Sequence, residues 1–306
     1  MTVRFVRPVS HAAYLSRYLG VVALLLFVIA APLHRFGPLT TPDFVALTLI
    51  SAGIAAIALL LALIGLQRLW SVGAKGGLWC LYAMLLSAIP LAVVAYAAFL
   101  YWQNPKIYDV TTDTTDVPSW LSIPTANQQW LTRPAAVSTA ERSAQLEAYP
   151  GFLGHRYEGA IDRVYAAARK VAKAQHIRIL HTDGLIGALP DVQPGAPKQD
   201  VQDGATDTPA EDLPSVIPVP LARPAEAPAP TFFNGSGTVL MQGDMRTLIL
   251  GARFDVLIRL REDTETTLVD VRVASRFGPH DLGMGKKIAD SYLDALDAQM
   301  QGLNDN

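Results

Sequence analysis

Three stretches of this chain run almost without charge over lengths that helices of water-soluble proteins rarely reach. Residues 14–33 hold one charged side chain, Arg17, near their start. Residues 44–66 and 78–102 hold none. A hydrocarbon core about 30 Å thick takes about 20 helical residues, so each stretch is predicted to cross a bilayer. Residues 1–103 then form a three-span membrane anchor, and residues 104–306 are left to build a separate domain. A cleaved signal peptide is the rival reading of the first stretch, with Arg4 and Arg7 ahead of it. Ala30-Ala31-Pro32 is a poor cleavage site because proline follows at once, and two further spans come after it.

The basic residues predict an orientation. Arg4, Arg7 and Arg17 precede or open the first span, and Arg68 and Lys75 lie between the second and third. The loop between the first two spans has Arg35 alone. Positive residues stay in the cytoplasm. The N-terminus is therefore expected inside, with the domain on the far side, which is the periplasm if the membrane is a bacterial inner membrane. Trp70 and Trp79 on one side, and Tyr101 and Trp102 on the other, fit the aromatic belts of the two interfaces. Spans two and three lack the buried charges that mark an ion or proton path. Ala52, Gly53 and Ala56 are expected to let helices approach closely. Ser51 and Ser87 are expected to bond their own helix backbone or pack between helices, and Pro90 to bend its helix. A packed anchor is expected, with a small transporter component as an alternative.

Composition excludes little more. A net charge of −2 gives no reason to expect nucleic acid as a partner. The single cysteine, Cys80, lies in an apolar run, so no intrachain disulfide, cysteine cluster or cofactor is expected.

In the domain, Asn104 to Asp113 leaves the membrane, with a short strand possible at 107–111. Residues 114–136, with Pro118, Pro124, Pro134, Trp120 and Trp130, are expected to be irregular. Residues 158–175 are expected to be a helix, with Ile161, Tyr165, Ala168 and Ala172 on one face. Residues 177–182 read as a strand, Asp183-Gly184 as a two-residue hairpin turn, and 185–189 as the returning strand. Residues 190–230 contain ten prolines and seven acids against two bases. Such a stretch cannot bury enough apolar surface to offset its ordering entropy, so a disordered insertion is expected over 190–235. Residues 247–250 and 254–260 read as strands.

From Leu268 onward the pattern is sharpest. Val269, Val271 and Val273 alternate with Asp270, Arg272 and Ala274, the period of a half-buried strand. Gly278-Pro279 turns the chain, and Asp281 sits where a helix N-cap belongs. Met284, Ile288, Tyr292, Leu296 and Met300 then mark one stripe of an amphipathic helix. The sum is an α+β domain: an antiparallel sheet of about four or five strands with helices on one face.

Val269-Asp270-Val271-Arg272, Ala274-Ser275-Arg276, Gly278 and Asp281-Leu282-Gly283 together resemble the signature of the domain-of-unknown-function 1499 family. The resemblance extends over about 105–189 and 246–300, with Asp109, Thr111, Thr112, Asp113, Gln145, Tyr149 and Pro150 among the similar positions. Where the family resembled has two adjacent acids this chain has Phe254-Asp255, so one carboxylate of that pair is missing. The resemblance implies a bacterial envelope protein and supplies no reaction.

Two readings of the charged residues stay open. In one, Asp255, Arg259 and Asp270 form structural ion pairs across the strands, and Arg276 clasps Asp281. In the other, Arg272, Arg276 and Lys286 converge with the backbone N–H groups of Gly283 and Gly285 on an anion, with Asp281 beside them. The partners then expected are the lipid bilayer and another envelope protein or an anionic envelope ligand. A hydrolase using His280 and Asp281 is the catalytic alternative.

Overall fold

The computed structural model describes residues 10–72, 76–123, 126–184, 237–248 and 251–302. The expected insertion over 190–235 and the expected strand over 185–189 lie outside the described residues.

The apolar runs are helices α1 (His11–Phe36), α2 (Thr41–Val72) and α3 (Gly77–Gln103), all long and apolar enough to cross a membrane. Ser10 caps α1 through the Ala13 N–H. Large side chains such as Leu25, Ile29, Leu60 and Leu85 point outward, while Ala23, Ala55, Ala62 and Ala83 are fully buried between the helices. Small residues let the backbones close up: a Cβ on Gly65 would meet Cys80 Sγ at 2.8 Å. Gly53 is not part of this seam, since a Cβ there meets nothing within 4 Å; the seam of α2 runs through Ala52, Ala55, Ala58 and Ala62. Ser51 donates across it to the Ala23 carbonyl at 2.7 Å. Arg17 lays its guanidinium 3.7 Å over the Trp79 ring.

The rest of the described chain comprises β1 (Asp109–Thr111), α4 (Thr139–Ala148), β2 (His155–Glu158), α5 (Ile161–Ala174), β3 (Arg178–Asp183), β4 (Thr238–Arg246), β5 (Arg253–Asp263), β6 (Thr266–Ser275) and α6 (Met284–Met300). The six strands form one antiparallel sheet in the order β1-β6-β5-β4-β3, with β2 also pairing β6 beyond the end of β1. β5 and β6 form the expected hairpin, which sets Arg259 opposite Asp270 and Leu257 opposite Arg272.

Three expectations are corrected and one helix is added. The helix assigned from 158 begins at Ile161, and 155–158 is strand. A helix that no expectation covered occupies 139–148, opened by a capping box between Ser138 and Glu141. β3 returns through β4, with Asp183 opposite Leu240, so Asp183-Gly184 is not a two-residue hairpin turn. Gly184 is needed all the same: its φ is +90°, and a Cβ would strike the Thr238 carbonyl at 2.2 Å. Finally, β4 ends at Arg246, and Thr247 and Leu248 lie outside any strand.

α5 and α6 cover one face of the sheet. Tyr165, Ala168, Tyr292 and Leu296 pack there on Val256, Ile258, Leu260, Val269 and Val271. The opposite face was expected to meet water. Instead residues 112–123 and 126–133 lie across it, and Asp255, Arg259 and Asp270 are 1%, 6% and 2% exposed. Gln242 on β4 fastens this strap, accepting the N–H groups of Leu121 and Ser122 at 2.7 and 3.0 Å and donating to the Ser122 carbonyl at 2.7 Å.

Candidate functional site

The charged residues singled out from sequence are placed by β5, β6 and the turn into α6. Alternation along the strands sends Asp255, Arg259, Asp270 and Arg272 to the face under the strap. Arg272 forms a fork with the Asp109 carboxylate, Nε and Nη2 lying 3.1 and 2.8 Å from Oδ2. Its Nη1 donates to the Pro118 carbonyl at 2.6 Å, and the guanidinium lies 4.8 Å from the Trp120 ring. Arg142 of α4 holds the other oxygen of Asp109 at 2.8 Å.

Arg259 bonds Asp270 Oδ2 through Nε and Nη2 at 3.1 and 2.8 Å, and reaches Asp116 and Asp113 at 2.8 Å each. Burial works against the Asp113 carboxylate, but the Asp116 and Thr115 N–H groups and Arg259 outweigh it and hold the carboxyl below the usual range. Burial also opposes the Arg259 charge, and the surrounding carboxylates more than restore it.

Arg276 pairs with Asp255, not with Asp281. Arg133 of the strap stands 3.8 Å from the second oxygen of Asp255 and donates to the Ser275 carbonyl at 2.9 Å.

The turn into α6 is closed by its own aspartate. Asp281 accepts the N–H of Gly283 at 2.8 Å and of Gly285 at 2.9 Å. Gly283, left-handed at φ 72°, occupies the N-cap position, while Asp281 supplies the capping carboxylate from two residues upstream. Burial pushes the Asp281 carboxyl up, against the pull of those two N–H bonds. Lys286 pairs with Asp290 one turn along. The expected anion cradle is therefore not assembled as a vacancy: Arg272, Arg276 and Lys286 hold different aspartates, and the Gly283 and Gly285 N–H groups are taken.

His280 uses both ring nitrogens. Nδ1 accepts the Leu282 N–H at 2.8 Å, and Nε2 lies 3.2 Å from the Tyr101 carbonyl at the end of α3. Its ring packs on that of Tyr101, with centroids 4.6 Å apart.

That contact belongs to a junction which sequence reasoning missed. The domain rests on the end of the helix bundle at which α1 closes, α2 opens and α3 closes. Arg35 Nε donates to the Leu248 carbonyl at 3.3 Å, and Arg246 Nη1 lies 3.5 Å from the Arg35 carbonyl. Arg246 faces Arg253 directly across β4 and β5. The signal available was this like-charged pair flanking a short turn. A second missed feature is an open groove of about 650 Å³ between β2 and the end of α6. There Asp297 Oδ1 accepts from the Tyr157 hydroxyl at 2.6 Å and lies 3.0 Å from His155 Nδ1. No local spacing announces residues so far apart in sequence.

The chain thus combines three helices long and apolar enough to cross a membrane with a helix-backed antiparallel sheet, most of whose strap-side charges are tied up in ion pairs. Residues 229–296 match the model of a family described as "Protein of unknown function (DUF1499)". No curated protein and no solved structure matches the chain.

Proposed function

We propose that the protein is a bacterial inner-membrane protein whose α+β domain stands on the periplasmic side and binds or scaffolds an envelope component without catalysis. The observation that carries this reading is the seating of the domain on its own helix bundle. His280 on Tyr101 and Arg35 on Leu248 hold one end of the sheet at the level where the apolar helices stop. A sheet clamped at that depth suits capture of something at the membrane surface. The hydrolase alternative loses ground because His280 and Asp281 already spend their polar atoms on backbone groups of the turn and of α3. The orientation follows from the basic residues alone.

In-cell photo-crosslinking tests the reading. Probes placed at Leu248 and at Ile123, which are 72% and 81% exposed, should capture an envelope lipid or protein. A reporter fused at the C-terminus should be active in the periplasm. A reporter active only in the cytosol, or no capture from either position in a folded protein, overturns the proposal.

A further inference from the structure

The junction holds positive charge that no carboxylate among the described residues answers. Every other arginine on β5 and β6 has a carboxylate at salt-bridge distance. Among the described residues Arg35, Arg246 and Arg253 have none. The hydrogen bonds of Arg35 and Arg246 to described residues go to backbone carbonyls, those of Leu248 and of Arg35. Asp244, the acid that attracts Arg253, is engaged by Arg178 through two hydrogen bonds. Arg246 and Arg253 are direct cross-strand neighbours, an arrangement that costs stability for like charges. Burial, then Arg246 and then Arg276, weaken the hold of Arg253 on its proton.

The position says what would answer that charge. Arg35 is in the last turn of α1, where the apolar span ends and lipid headgroups begin. Phe36 and Leu248 beside it are 84% and 72% exposed, as suits side chains reaching toward acyl chains. His34 is 2% exposed and its Nε2 is buried without a hydrogen-bond partner, while Nδ1 lies 3.1 Å from the Leu39 carbonyl. A Cβ on Gly251 would stand 3.2 Å from Arg35 Cδ and 3.7 Å from His34 Cδ2, so Gly251 lies directly over these two side chains.

We propose that Arg35, Arg246 and Arg253 bind the phosphate of an anionic phospholipid headgroup at the junction of the bundle and the sheet. Guanidinium groups match phosphate oxygens in geometry as well as charge. The bound lipid neutralises the cross-strand pair and fixes the domain to the membrane surface. This deepens the envelope-binding reading and rests on it for the ligand class, not for the side of the membrane.

The test uses the full chain in a neutral detergent, where orientation plays no part. Thermal unfolding is followed with added phosphatidylglycerol, phosphatidylcholine or inorganic phosphate. Phosphatidylglycerol should raise the midpoint by several degrees more than phosphatidylcholine, as a ligand of the folded state does. Arg246→Gln/Arg253→Gln should bind phosphatidylglycerol about tenfold more weakly, having lost two charge-assisted contacts. Without lipid it should melt no lower than the parent, because a like-charge pair has gone. An unchanged lipid preference in that variant overturns the site. Equal effects of the two lipids overturn the anionic headgroup, and full stabilisation by inorganic phosphate assigns a free anion instead. Should the double variant not fold, Arg253→Gln and the lipids retained by the parent in native mass spectrometry decide the same question. A cytosolic reporter at the C-terminus would sink the periplasmic reading while leaving this result standing.

Discussion

Gln145 closes the free edge of β1 with its side chain. Its Oε1 accepts the Thr111 N–H at 3.3 Å, and its Nε2 donates to the Thr111 carbonyl at 2.7 Å. One amide thus replaces a neighbouring strand, and it does so fully buried, at 2% exposure. An edge left with bare backbone groups invites pairing with another chain. Gln145→Leu keeps the volume and removes both bonds, leaving two backbone groups unsatisfied. The expected cost is about 2–4 kcal/mol, read as a lowered thermal midpoint of the domain, together with a rise in aggregation. A melt unchanged from the parent would show that the amide is dispensable.

Asp270 and Arg259 make the second prediction. Both are buried, and Asp270 alone bonds two nitrogens of the guanidinium. Asp270→Asn leaves a buried cation short of its main counter-charge, and breaking such a pair costs about 3–5 kcal/mol. Replacing both residues together by apolar ones of similar size should cost less than the single change, because no buried cation is orphaned and Asp113 and Asp116 keep Arg261 as a partner. A double-mutant cycle on thermal or denaturant unfolding checks this.

Asp113 sets an acid limb. Its carboxyl is held below the usual range in the folded protein, where two backbone N–H groups and Arg259 overcome its burial. A depressed folded-state value means the stabilisation is present above the unfolded value, about 3.9. It is lost as pH falls through the folded one. Between about pH 5 and pH 3 the midpoint of the parent should therefore fall more steeply than that of Asp113→Asn. Parallel curves would assign the acid limb to other carboxylates.

The spans, the β5–β6 hairpin and the stripe of α6 were legible because each repeats a local period over many residues. Val269, Val271 and Val273 could hardly lie elsewhere than in the core. The same alternation misled on the other face. Asp270 and Arg259 look like surface residues, and only the strap of residues 112–123 and 126–133, without a regular period, turns them into buried partners. A covering segment without a period leaves no mark on the strand it covers. The pairings of Arg272 with Asp109 and of Arg276 with Asp255 depend on chain crossings of the same kind. β4 escaped because its partner β3 lies across the proline-rich stretch, so no short turn joined the two. Ser138 and Glu141, by contrast, were a readable capping box, a serine followed three residues later by glutamate, to which no expectation was attached.

Gly283 and Asn104 supply the sharpest test of how the domain is seated. Gly283 has φ 72°, and a Cβ there would come 2.1 Å from Asn104 Oδ1 and 2.5 Å from its Cγ. Asn104 follows α3 directly and donates back to the Leu100 carbonyl at 2.8 Å, so it is not free to swing aside without losing that bond. Gly283→Ala therefore meets two separate penalties. The left-handed backbone costs a non-glycine residue about 1–2 kcal/mol, and the collision with Asn104 adds to it. Only the second can be relieved from outside the turn. Asn104→Ala alone should be mild, about 1 kcal/mol for the lost bond. Combined with Gly283→Ala it should bring the cost of the glycine change down to the backbone strain. Thermal unfolding of the four proteins measures the coupling. If Gly283→Ala costs the same with and without Asn104, the turn into α6 does not rest on the end of α3.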